Sequence, residues 1–172
     1  MPDGTFDGGE WSSVKPTMPL DFPNLPYFID GEVKLTENLA ILEYICSKWK
    51  PELLGKDLEA RGLVNMLAGV FAPLRMEISI PCYTNSERKP IIEQIKSKLP
   101  PFYTYLGNSA FLTGSAVTWI DFAFYELVLV MVFVHPSLFA EYPLLETYVK
   151  RVAELPGLKE YLAEKDNCQR TR

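Results

Sequence analysis

Histidine is almost missing from this chain: His135 is the only one in 172 residues. A metal site or a mechanism that needs two imidazoles is excluded. Cysteine is scarce as well. Cys46, Cys82 and Cys168 are odd in number, far apart and without a CxxC pair, which argues against a disulfide framework or a thiolate zinc site, so no metal is expected. No block of like charge occurs. Lys and Arg total 17 against 22 Asp and Glu, a net charge of −5, and this offers no electrostatic footing for nucleic acid or an anionic membrane. The opening segment MPDGTFDGGE is polar and acidic with no apolar stretch, so no secretory leader is expected and a reducing, cytoplasmic setting is the default. The longest apolar run, Phe122–Val134, is interrupted only by Glu126. It spans roughly 20 Å as a helix, short of the ~30 Å of a bilayer core, and is expected to be a buried central helix.

What is present is ordinary globular material, 48% apolar and 23% charged, enough for one domain or two small ones. Gly4, Gly8 and Gly9, then Pro16 and Pro19, make the first 21 residues read as loop, with one helical turn near Trp11–Val14. A turn, Asp21 to Pro26, leads into two short strands, Tyr27–Ile29 and Val33–Leu35, with Asp30-Gly31 between them as a hairpin turn. Thr36 is expected to cap a helix running to Trp49, with Glu37 in its first turn and Pro51 ending it. Residues 51–56 form a linker between a small domain, 1–50, and a larger one, 57–172.

The larger domain reads as helix throughout. Leu63, Leu67, Val70, Phe71, Leu74 and Ile78 predict one face of a helix over Asp57–Pro81, kinked at Pro73. Ile92, Ile95, Leu99, Phe102 and Leu106 predict a second over Ser86–Leu106, bent or split at Pro100-Pro101. A loop at Phe111–Gly114 precedes the buried helix, and two short helices, Leu144–Glu154 and Gly157–Lys165, bring the bundle to five. Thr118-x-x-Asp121 is a capping box, with Val117 and Phe122 suited to a hydrophobic staple. His135, at the end of this helix, and Cys46 are expected to be structural. The fold class is α+β and mostly α.

Pro26 stands at the entrance of a strand, a position where prolines are often cis. In that arrangement the backbone of Leu25 could pair with an extended peptide ligand. The same segment also reads as a tight structural turn.

Three stretches carry a resemblance: Trp11-x-x-x-Lys15 with Leu20-Asp21-Phe22-Pro23-Asn24-Leu25-Pro26-Tyr27 and Ile29-Asp30-Gly31, then Cys82-Tyr83 and Leu106-Gly107, then Val117-Thr118-Trp119-Ile120-Asp121-Phe122. Together they resemble the mu-class cytosolic glutathione S-transferases over roughly residues 10–165. The resemblance implies a thioredoxin-like glutathione-binding domain, here with two strands plus helices, followed by an all-α bundle. It implies conjugation of glutathione thiolate to hydrophobic electrophiles, with glutathione as co-substrate and no other cofactor. It assigns Trp11 and Lys15 to the glycine carboxylate of glutathione, and Asn24, Leu25 and Pro26 to the cysteinyl part. Glu37 and Asn38 then serve the γ-glutamyl end, where the class usually carries Gln-Ser. It assigns Tyr83 to the second substrate and Phe22 to an aromatic key in a partner subunit, implying a homo- or heterodimer.

Two departures accompany the likeness. The class carries an aspartate on its first long helix that reaches the partner's glutathione, whereas this sequence reads Phe71-Ala72-Pro73-Leu74. The family's catalytic tyrosine ends a first strand, and no tyrosine precedes Tyr27 here. The first strand–helix–strand of the family is therefore expected to be lacking, the 172-residue chain to be inactive, and retention on immobilised glutathione to be weak. The alternative is a non-catalytic structural or binding subunit of a larger assembly.

Overall fold

The computed structural model describes residues 9–83 and 88–170, with side chains placed for 9–81 and 89–164. The chain forms two compact units, Met1–Glu87 and Arg88–Arg172.

The first unit opens with a short helix, α1 (Gly9–Val14), and a 3-10 turn, Lys15–Thr17. Strands β1 (Tyr27–Asp30) and β2 (Val33–Thr36) pair antiparallel as a two-stranded sheet, with Tyr27 opposite Thr36 and Asp30 opposite Val33. Gly31 takes φ +60° in the connecting turn, a conformation that glycine reaches without steric cost. Both strands are one residue longer than the sequence predicts. Helix α2 (Asn38–Trp49) lies against the hairpin, and Phe28 packs near Tyr44 and Trp49 with ring centroids 6.0 and 6.3 Å apart.

Thr36 is not the cap of α2. It ends β2, and Glu37 is the N-cap, at φ 70° and without a side-chain capping bond. The hairpin ladder claims Thr36 as the partner of Tyr27, so the chain must turn within one residue to start the helix. Cys46 is buried, as expected, and burial pushes its thiol pKa up.

Helix α3 (Leu58–Tyr83) runs unbroken through Pro73. Its buried face is Val64, Leu67, Phe71, Leu74 and Ile78, while Leu63 and Val70 are exposed. Thus Leu67 to Ile78 follow the expected phase, but Val64 replaces Leu63 and Val70 leaves the core. By length and composition α3 could cross a bilayer; one face is nonetheless buried, and Arg75 and Glu77 lie on the exposed side.

The second unit consists of α4 (Arg88–Leu106), α5 (Trp119–Val134), α6 (Leu138–Glu141), α7 (Pro143–Ala153) and α8 (Leu158–Arg170). Among the described residues, six helices follow the linker instead of five; the addition is the single turn α6. Helix α4 is not split at Pro100-Pro101. Ile91, not Ile92, joins Ile95, Leu99, Phe102 and Leu106 on its buried face. Helix α5 is the centre of this unit, touching α4, α6 and α7. Its Ile120, Phe124, Val128 and Met131 are fully buried, each worth roughly 1.5–3 kcal/mol in apolar burial. His135 caps the end of α5 and bonds Glu141 at 2.7 Å, a structural role as expected.

Candidate functional site

The hairpin register decides where the candidate ligand-binding residues meet. Because Tyr27 and Thr36 are opposite one another, the residues just before Tyr27 and just after Thr36 leave the same end of the sheet. Asn24, Leu25 and Pro26 are on one side and Glu37 and Asn38 on the other. Four of these are exposed and Asn38 is half-buried as the first residue of α2. The Leu25–Pro26 peptide bond is cis. Leu25 lies outside the β1–β2 ladder and is 52% exposed.

The third component comes from α1. The Trp11 indole stacks on the Tyr27 ring at 6.3 Å between centroids with planes 13° apart. The ring that stands opposite Thr36 in the ladder therefore also holds the α1 side chain. Lys15 begins the 3-10 turn one helical turn beyond Trp11 and is exposed. Hydroxyls stiffen the segment locally, Ser13 donating to the Glu10 carbonyl and Thr17 to the Val14 carbonyl, both at 2.8 Å.

This end of the sheet carries several groups able to contact a ligand. It offers an indole, an ammonium, a backbone edge at Leu25, a carboxylate at Glu37 and the N-terminus of a 12-residue helix. That terminus has no side-chain cap, so its first amides point outward with the positive end of the helix dipole, suited to a carboxylate. Among the described residues no group of three or more His, Cys, Asp or Glu is placed to hold a metal ion.

Residues 4–47 match the family model for the glutathione S-transferase N-terminal domain, and residues 74–165 match the model for its C-terminal domain. The chain is 33% identical over 167 residues to a 26 kDa class-mu glutathione S-transferase isozyme of Fasciola hepatica, covering 92% of this chain and 73% of that protein. It belongs to the glutathione S-transferase family. A class-mu 26 kDa isozyme of Schistosoma mansoni is 35% identical over 156 residues, covering 88% of this chain and 70% of the relative. The solved pi-class glutathione S-transferase of Onchocerca volvulus superposes with a TM-score of 0.80 at 23% identity, covering 95% of this chain and 80% of that one, a likeness of fold.

Within this transferase-family chain, the sequence-predicted residues divide into three groups. Trp11, Lys15, Asn24, Leu25, Pro26, Glu37 and Asn38 all belong to the first compact unit. Phe22 is 80% exposed in the turn before β1. The side chain of Tyr83 lies outside the described residues, as do those of Cys82 and Cys168. Sequence reasoning did not single out Tyr27 as part of this end. Its signal was available only as an aromatic directly after Pro26, and its stacking partner lies 16 positions away.

Proposed function

We propose that this chain binds glutathione at the Tyr27–Thr36 end of its hairpin and works as one subunit of a cytoplasmic dimer of transferase fold. The observation that carries this reading is the convergence of three sequence-distant segments, α1, the Asn24–Pro26 turn and the start of α2, at one end of the sheet. In this reading residues 1–50 form the glutathione-binding domain, 51–56 the linker and 57–172 the helical domain. Trp11 and Lys15 meet the glycine carboxylate through an indole donor and a charge-assisted bond. The Asn24–Pro26 backbone runs beside the cysteinyl part like an added strand. Asn38 and the first amides of α2 take the γ-glutamyl carboxylate while Glu37 attracts the ammonium. Tyr83 serves the electrophile side, and no cofactor beyond glutathione is required.

Most of these groups are solvent-exposed, so each contact is weakly favourable. A Kd on the order of 1 mM follows, about 4 kcal/mol of binding. Such affinity gives only slight retention on immobilised glutathione. Titration of the labelled protein with millimolar glutathione, followed by NMR, is expected to shift Trp11, Leu25 and Asn38 together along one saturable curve. Shifts absent from these residues would overturn the reading.

Conjugation is a separate matter. The thiol-activating tyrosine of the mu class has no counterpart before Tyr27 in these 172 residues. This polypeptide by itself is accordingly proposed to hold the tripeptide without activating its thiol. A binding or structural subunit beside other transferase-fold chains is the alternative reading. The rate of this polypeptide with an aryl halide is expected at the uncatalysed background; a clear excess over background would refute inactivity and leave the binding site standing.

A further inference from the structure

We infer that Tyr27 is a positioning residue of the glutathione site, holding the Trp11 indole where it meets the glycine end of the ligand. The inference rests on the reading above and adds to it a residue that acts through another.

Helix α1 buries none of its six residues, so no apolar anchor of its own fixes its direction. What ties its indole to the sheet is the Tyr27 ring, nearly parallel to it at 6.3 Å, within the separation at which offset aromatic pairs attract. Tyr27 is in turn fixed by the strand ladder opposite Thr36. It follows directly on Leu25-Pro26, the segment proposed to carry the cysteinyl part. One ring thus stands between the side-chain arm of the site (Trp11, with Lys15 a turn further on) and its backbone arm. Its face is engaged by Trp11, and the phenol hydroxyl has no part in the inferred role. A phenylalanine should therefore replace it.

The experiment uses the 172-residue chain, its Tyr27→Val, Tyr27→Phe and Trp11→Ala variants, and the Tyr27→Val/Trp11→Ala double variant. Valine is chosen because a β-branched residue keeps the strand. Binding is read by NMR titration with glutathione and, separately, with γ-glutamylcysteine, which lacks the glycine residue. Tyr27→Val is expected to weaken glutathione about threefold to tenfold, the range of one aromatic pair, and to leave γ-glutamylcysteine unchanged. Tyr27→Phe should match the parent. In the Trp11→Ala background Tyr27→Val should cause no further loss, because the two rings act as a unit. A merely structural Tyr27 would weaken both ligands alike, or add fully to Trp11→Ala, and either result overturns the inference.

A mutation-free measurement guards against a variant that fails to fold. In the parent protein the Trp11 indole proton and the Tyr27 ring protons should shift together with glutathione and stay still with γ-glutamylcysteine. Tyr27 signals unmoved by glutathione, while Asn38 and Leu25 respond, would overturn the positioning role and leave the glutathione reading intact. No response to glutathione at any residue would overturn both.

Discussion

Asp121 accepts four hydrogen bonds on its two carboxylate oxygens while fully buried. The Leu112 amide (2.9 Å) and the Tyr148 hydroxyl (2.9 Å) donate to Oδ1, and the Thr118 amide (2.8 Å) and hydroxyl (3.1 Å) donate to Oδ2. Burial holds its carboxyl pKa above the usual carboxylate range against the pull of these donors. Asp121→Ala strands the buried Leu112 and Thr118 amides as well as removing the cap, while the Tyr148 hydroxyl keeps the Asp121 carbonyl at 3.2 Å, so a loss of about 3 kcal/mol or more is expected in urea unfolding. Tyr148→Phe removes one donor and should cost about 1 kcal/mol in the same measurement. The Thr118-x-x-Asp121 spacing made the cap legible in the sequence. Leu112 and Tyr148 were not legible, since the first lies in a loop and the second on α7, and only packing of α7 on α5 brings the phenol to Asp121. Glu37 shows the same limit: a residue expected inside the first turn becomes the N-cap because Thr36 is held in the ladder.

At the scale of elements, the hairpin is locked to α2 by one polar cluster. Asp30 accepts from Lys48 and, at 2.9 Å, from the Tyr44 hydroxyl, while the Lys48 ammonium sits 4.8 Å from the centre of the Trp49 ring. The Lys48 hydrogen bond, then that of Tyr44, lowers the Asp30 pKa from its ordinary 3.8. A carboxyl depressed in the folded state stabilises it fully above the unfolded value and loses that contribution as pH falls through the folded one. The tie should therefore hold above pH 3.8 and loosen below it. The Trp49 indole resonance is expected to report this acid step, and Asp30→Asn should abolish it. Helix identity and most of each buried face were readable from apolar period alone, but the residues at the edge of the face were not. Leu63 sits beside Val64 and Ile91 beside Ile92, so a shift of one residue, about 100° around the axis, satisfies the pattern equally. The continuity of α4 through two prolines was also unreadable. Proline in a helix interior costs ~3 kcal/mol. Ile95 and Leu99 before the pair, and Phe102 and Leu106 after it, are all buried, each offsetting that cost by roughly 1.5–3 kcal/mol.

For the whole molecule, the exposed apolar surface of the first unit bears on assembly. Phe22 is 80% exposed, and Leu63, Met66 and Val70 form an exposed stripe on α3 at 37%, 49% and 51%. Clustered apolar side chains left in water suit a subunit contact. The protein is expected to sediment as a dimer, and Phe22→Ala combined with Val70→Glu to shift it to monomer; a parent that sediments as a monomer at tens of micromolar would refute the dimer. The sequence by itself determined the family, the helical character of most described segments after residue 57, the hairpin, the α5 cap and the burial of α5. These are properties of short windows, in which period, turn chemistry and capping act over a few residues. The tertiary structure decided which residues at the edges of the helix faces are buried, which residue begins α2, and that Trp11 stacks on Tyr27 at the end of the sheet where the Leu25–Pro26 turn and the start of α2 adjoin. Those depend on contacts between segments far apart in the chain, where strand register and ring stacking, rather than any local pattern, set the geometry.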